Sequence, residues 1–165
     1  MNQIDEVLNK YEQDLAKAVE GRCKKVSRCA DFRDKFRKDY LETYKSKLAE
    51  ISKKLSNKDH AVEIVEKSSE ELFYGFIFAI VPRHLRSSDG RFYPGSHWSK
   101  ISFTSNEHTL TIDVETVVRP NIERQEHHDV EKINANEFNE DKLIQKVTDF
   151  LEKVFDETII LDFLR

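Results

Sequence analysis

From the start of the chain, Ile4, Val7, Leu8, Tyr11, Leu15, Ala18 and Val19 recur at helical spacing among polar residues. This pattern predicts a helix over roughly 3–20, with Gly21 ending or kinking it. A second stripe runs Val26, Cys29, Phe32, Phe36, Tyr40, Leu41, Tyr44, Leu48, Ile51, Leu55, and no proline interrupts it. It predicts a helix of about 30 residues, on the order of 45 Å long. The last part of that stripe, Leu41 to Leu55, has the 3–4 spacing of a coiled-coil seam over two heptads, which predicts packing against another helix. The polar "SNKD" at 56–59 is the expected stop. The two helices would form either a hairpin or a long helix pair.

Residues 60–70 fit a helical turn or a short strand. Beyond them the texture changes to "LFYGFIFAIV", aromatic and β-branched, which reads as a buried strand ended by Pro82. "HWSKISFTS" and "HTLTIDVETVV" then alternate apolar with polar residues. Leu110, Ile112, Val114 and Thr116 fall on one face, and Thr111, Asp113 and Glu115 on the other. The intervening "SNEH" is a short turn, so the two runs predict an antiparallel hairpin with one side of its sheet buried. A polar stretch covers 119–139. A last helix begins near Asn139, with Glu140 and Asp141 placed to favour its dipole. The apolar "TIILDFLR" at the end is expected to dock, either as an edge strand, the favoured reading, or as a helical tail. The sum is an α+β protein: N-terminal helices, a three- to four-stranded antiparallel sheet, and a C-terminal helix packed on it. Residues 1–58 form the helical region and 59–165 the α+β region, joined in one compact unit.

Composition agrees with a soluble domain: 165 residues, 38% hydrophobic and 35% charged, with 4 Gly and 3 Pro, too few for a turn-rich sandwich or a linker. The opening "MNQIDEVLNKYEQD" lacks the apolar stretch of an export signal, and no apolar run is long enough to span a membrane. The expectation is a cytoplasmic protein. Cys23 and Cys29 match no metal or redox spacing. Cys29 lies on the apolar stripe as a buried small hydrophobe, and Cys23 is an exposed thiol.

Charge changes the picture more. The net charge is -4, yet residues 22–58 hold thirteen basic and five acidic side chains, a net +8. Residues 1–21 carry two basic and five acidic (net -3), and residues 59–165 twelve basic and twenty-one acidic (net -9). The second helix is therefore a basic rod in an acidic protein. Pairs such as Asp31–Lys35 and Asp34–Lys38 would support its face. Three readings follow: a solvated face, a complement to the protein's own acidic parts within the chain or across a dimer, or a surface for an anionic partner. Lys24, Lys25, Arg28, Lys35 and Lys38 are the residues that would make the contact.

The segment "PRHLRSSDGRFYPGSHWSK", 82–100, is longer than a hairpin needs, and long loops carry function more often than short ones. Arg83, Arg86, Arg91, Tyr93, His97 and Trp98 are its binding candidates, a basic–aromatic mixture suited to an anionic group or a protein hot spot. "EHHD" at 126–129 lacks metal-ligand spacing and reads as a polar loop. Asp113 and Glu115 share a strand face that could hold a hard cation, with a solvated face as the plainer reading.

The chain has no Gly-rich phosphate loop, no G-x-S-x-G and no zinc-type cysteine set, nothing in it proposes a Ser/His/Asp site, and no catalytic residue, metal or cofactor is assigned from it. The order helix, three-strand meander, helix, final strand over 60–165 resembles the core of the PD-(D/E)xK nucleases. In that resemblance Asp113 and Glu115 take the place of metal carboxylates. The lysine two residues past the second-motif acid is absent, since Val117 stands there, with Lys100 as a migrated substitute. The leading expectation is a non-catalytic binding protein, with a protein partner or its own copy ahead of nucleic acid. The alternatives are a nucleic-acid-binding module, a divergent metal-dependent nuclease, and an acidic immunity- or inhibitor-like protein.

Overall fold

The computed structural model describes residues 2–69, 73–85, 98–119 and 126–162. Its first 55 described residues are one uninterrupted helical path: α1 (Asn2–Asp39), a π-helical turn (Tyr40–Tyr44) and α2 (Lys45–Ser56). Gly21 does not end or kink off a first helix. A Cβ built there would meet nothing within 4 Å, so the position is open and the flanking helix formers carry the backbone through. The rod is about 80 Å long. "SNKD" is the stop: residues 57–59 form a turn, with Asp59 at φ 65°.

The π turn has a cause in the spacing. Phe36, Tyr40, Tyr44 and Leu48 are all buried and stand four residues apart. In an α-helix of about 3.6 residues per turn, a repeat of four drifts round the surface. A wider π turn at the centre of the run absorbs the excess and keeps these side chains on one face. Leu41 is displaced from that face and is 49% exposed.

Five strands follow as a meander in the order β1-β2-β3-β4-β5, every neighbouring pair antiparallel. They are β1 (Ala61–Ser69), β2 (Phe73–Val81), β3 (Ser99–Asn106), β4 (Thr111–Val118) and β5 (His127–Asn134). Then α3 (Glu140–Asp162) begins behind Asn139, whose side-chain oxygen accepts the Lys142 N–H at 2.9 Å. The α+β class, the antiparallel sheet and the packed C-terminal helix stand as expected. The ambiguous 60–70 is an edge strand, and eight residues of the polar stretch 119–139, His127–Asn134, are β5, the other edge. That strand is hard to see because only Ile133 of its eight residues is buried, so no apolar alternation marks it. "TIILDFLR" begins inside α3, which stays helical to Asp162, so the expected terminal strand is helix over its described part.

One face of the sheet makes the core. Phe76, Phe78, Ile101, Phe103, Ile112, Val114 and Ile133 point to it, and two helical elements cover them. The rod lays down Phe36, Tyr40, Tyr44 and Leu48. From α3 come Leu143, Val147, Phe150 and Val154. Rings dominate: Tyr40 stacks on Phe76 at 4.5 Å between centroids, Phe76 on Phe103 at 5.0 Å, and Phe138 meets Tyr44 edge-on at 5.7 Å. The apparent coiled-coil seam of α2 is thus a sheet-packing face, with Ile51 and Leu55 at its margin. Both patterns need an apolar residue every three to four positions, so spacing does not separate them.

Candidate functional site

Among the described residues, the rod is buried against the body from Cys29 onward. From Ile4 to Arg28 every side chain that the structure describes is exposed. This arm is about 40 Å long. The body meets it at the β3–β4 turn, Glu107 to Leu110. There the Cys29 thiol donates to the Glu107 carbonyl oxygen at 2.9 Å, and Arg33 Nη1 lies 3.6 Å from Glu107 Oε1. Cys29 is half-buried and serves as a pin, where a small buried hydrophobe was expected; Cys23 is exposed. Leu110 holds φ 54°, a left-handed conformation unusual for a branched side chain, and its carbonyl accepts the Ala135 N–H at 3.2 Å.

Two grooves open on either side of this turn and share Arg28 and Leu110. The first, about 510 Å³, has a floor of Phe32, Phe36, Tyr44, Ile112 and Phe138 under a rim of Arg28, Asp31, Lys35 and Asp39. The second, about 490 Å³, is lined by Gly21, Lys24, Lys25, Arg28, Cys29, Glu107, His108 and Leu110. Its one carboxylate, Glu107, already faces Arg33. Lys24 reaches back to Glu20 at 2.6 Å, an exposed pair of small energetic weight. Lys25 and Arg28 have no ion-pair partner among the described residues. The first groove is close to neutral, since Lys35 is held by Asp39 at 2.8 Å. The second is positive.

The structure therefore brings Lys24, Lys25 and Arg28 together, with Lys35 one groove away. Lys38 lines neither and sits 3.9 Å from Glu42. The pairs expected from spacing, Asp31–Lys35 and Asp34–Lys38, are replaced by Lys35–Asp39 and Lys38–Glu42, with Asp34 beside Arg33 at 3.3 Å. Both choices are i,i+4, and the ones formed place the base N-terminal to the acid. The loop candidates are elsewhere. Arg86, Arg91, Tyr93 and His97 lie outside the described residues. Arg83 is exposed at the start of a short 3₁₀ turn, its N–H donating to His60 Nδ1 at 3.1 Å, and Trp98 is half-buried. Both stand where β2 ends and β3 begins, the length of β3, about 26 Å, from the β3–β4 turn. The basic root thus lies at the opposite end of the sheet from Arg83 and Trp98. His108, at the root groove, carries no sequence signal of its own, and Leu110, expected on the apolar face of a strand, lies instead in the turn and is 39% exposed.

The sheet face opposite the core, on which Ala79, Val81 and Val117 are also buried, holds Asp113 and Glu115, both half-buried. Asp113 accepts from Asn106 at 2.9 Å and Thr111 at 3.1 Å, and Glu115 accepts from Ser102 at 3.3 Å with His128 Nε2 at 2.8 Å. No group of three or more metal-ligating side chains occurs among the described residues. "EHHD" lies mostly on β5 as His127, His128 and Asp129 rather than in a loop, and His127 reaches Glu157 at 3.5 Å. Lys153, 2.6 Å from Asp129, holds that carboxyl below its ordinary range. A five-strand meander without a terminal strand in its described part also removes the element order on which the nuclease resemblance rested. No helix among the described residues is long and apolar enough to cross a membrane.

Comparison of the chain with models of known families, with curated proteins and with solved structures finds no match.

Proposed function

We propose that the protein is a non-catalytic binding protein whose root grooves dock an acidic, amphipathic protein segment. One observation carries this: Lys24, Lys25 and Arg28 border a groove of about 490 Å³ that adjoins, through Arg28 and Leu110, an aromatic-floored groove of about 510 Å³. Cations beside an apolar floor suit a helix or strand with acidic and apolar residues on one face. A phosphate backbone would use the cations and leave the groove's apolar floor, at which Phe32 is half-buried, uncontacted, which ranks nucleic acid second.

The test is fluorescence anisotropy with two labelled probes, a Glu/Leu amphipathic 15-mer and a mixed-sequence 20-nucleotide single strand. The peptide should bind, and the double charge reversal Lys25→Glu with Arg28→Glu should weaken it at least tenfold. Tighter binding of the oligonucleotide, lost in the same variant, would make the site a nucleic-acid surface. Binding of neither probe by a monomeric form of the protein would remove the proposal.

A further inference from the structure

The arm presents a feature that the root grooves do not use. Its apolar residues Ile4, Leu8, Tyr11, Leu15, Val19 and Val26 are between 48% and 67% exposed. They form a straight stripe, because Ile4, Leu15 and Val26 repeat every eleven residues, as do Leu8 and Val19. An eleven-residue repeat lies close to the natural turn of an α-helix, so two such helices stay in contact with little supercoiling. The stripe runs on into Cys29, Phe32 and Phe36, the face that packs on the sheet; past the body the same face continues with nothing against it.

Charge selects the occupant. Residues 1–14 hold four acidic and one basic side chain, net -3; residues 15–28 hold five basic and one acidic, net +4. A second arm laid parallel would set like charge on like. Laid antiparallel, it sets each acidic half on a basic half. Full overlap of two arms centres the pair near Leu15 and brings Ile4 of one copy opposite Val26 of the other. The acidic tip of each copy then reaches the groove of Lys24, Lys25 and Arg28 on its mate. The stripe offers on the order of 700 Å² of apolar surface per copy, close to one side of a standard specific interface. Most helical stability in proteins comes from tertiary packing, which the exposed arm lacks, and pairing supplies those contacts.

We infer that the protein is a homodimer joined by antiparallel pairing of its N-terminal arms, with the acidic tip of each arm seated at the basic root of the other. This rests on the reading of the root groove as a docking site for an acidic amphipathic segment and names that segment as residues 2–14 of a second copy.

Sedimentation equilibrium of the full chain should give twice the 19.5 kDa protomer mass at 50 µM. Tyr11→Glu with Leu15→Glu should give a monomer with an unchanged thermal transition of the body. Register is read by mixing Ile4→Cys and Val26→Cys, each in a Cys23→Ser, Cys29→Ala background. Oxidation should link the two variants when mixed and link neither alone. Links in each variant alone overturn the antiparallel arrangement. A wild-type monomer at 200 µM, or a dimer that survives the double glutamate change, overturns the pairing. The Glu/Leu peptide separates the two proposals. A wild-type monomer that binds it sinks the pairing and keeps the groove; an arm-joined dimer whose monomeric variant ignores it sinks the groove reading.

Discussion

At the scale of single residues, two glycines do opposite things. Gly75 lies on β2 so close to β3 that a Cβ would stand 2.8 Å from the Phe103 carbonyl oxygen and 3.0 Å from Thr104 Oγ1. Backbone cannot move aside cheaply in mid-sheet. Gly75→Ala should destabilise the fold by about 1–3 kcal/mol, read by urea denaturation. Gly21 faces open space within a helix. Gly21→Ala should stabilise the arm by about 1 kcal/mol and raise the far-ultraviolet helical signal, with the body's midpoint unchanged. The buried tyrosines act through their protons. Burial, then the charge of Glu66, pushes Tyr40 up from 10.0 to about 12; burial, then Asp39 and Glu140, does the same for Tyr44. Burial and Glu66, which accepts its hydroxyl at 3.2 Å, raise Tyr74 further. Groups with folded pKa above unfolded pKa stabilise fully below about pH 10, and that contribution is lost as pH rises toward 12. Thermal midpoints should therefore hold to about pH 9.5 and fall between 10 and 12, and Tyr40→Phe with Tyr44→Phe should flatten the fall.

At the scale of elements, legibility followed contrast. Strand β2 could be read from sequence as a continuous aromatic and β-branched run, buried nearly throughout, and β3, β4 and α3 because their apolar and polar residues recur with the period of the element. Edge strands β1 and β5 were obscure because most of their described side chains face water, all but Ile133 in β5, and many carry charge. The joining of two helices into one rod was hidden by Gly21, a weak breaker that helix on both sides overrides. The π turn left a trace, the run of four-residue steps from Phe36 to Leu48, which reads as an ordinary stripe until the sheet is seen to demand one face. For the candidate site, the cations were plain as a charge run, whereas His108 and Leu110 join them only through the β3–β4 turn resting on Cys29.

At the scale of the whole molecule, the charge segregation that stood out in the sequence has two parts. The acidic sheet region and the basic rod are neighbours in the fold, and ion pairs such as Lys47–Glu140 at 3.5 Å and Lys45–Glu66 at 3.3 Å cross between them. These pairs are substantially exposed and contribute little individually. The remaining positive charge gathers at the arm's root, where the body supplies a single carboxylate already engaged by Arg33. That imbalance, with the uncovered stripe, is what gives the arm something to bind.

The meander order bears on how the protein folds. Each strand pairs with its neighbour in the chain, so the sheet can close one hairpin after another without a long-range crossover, a topology that favours rapid folding. The widest gap between paired strands is residues 82–98, between β2 and β3, the pair that carries Phe76 on Phe103. Closing that gap joins the two strands at the centre of the sheet. The rate of folding should be governed there, well away from the arm, and changes to the arm should leave it alone.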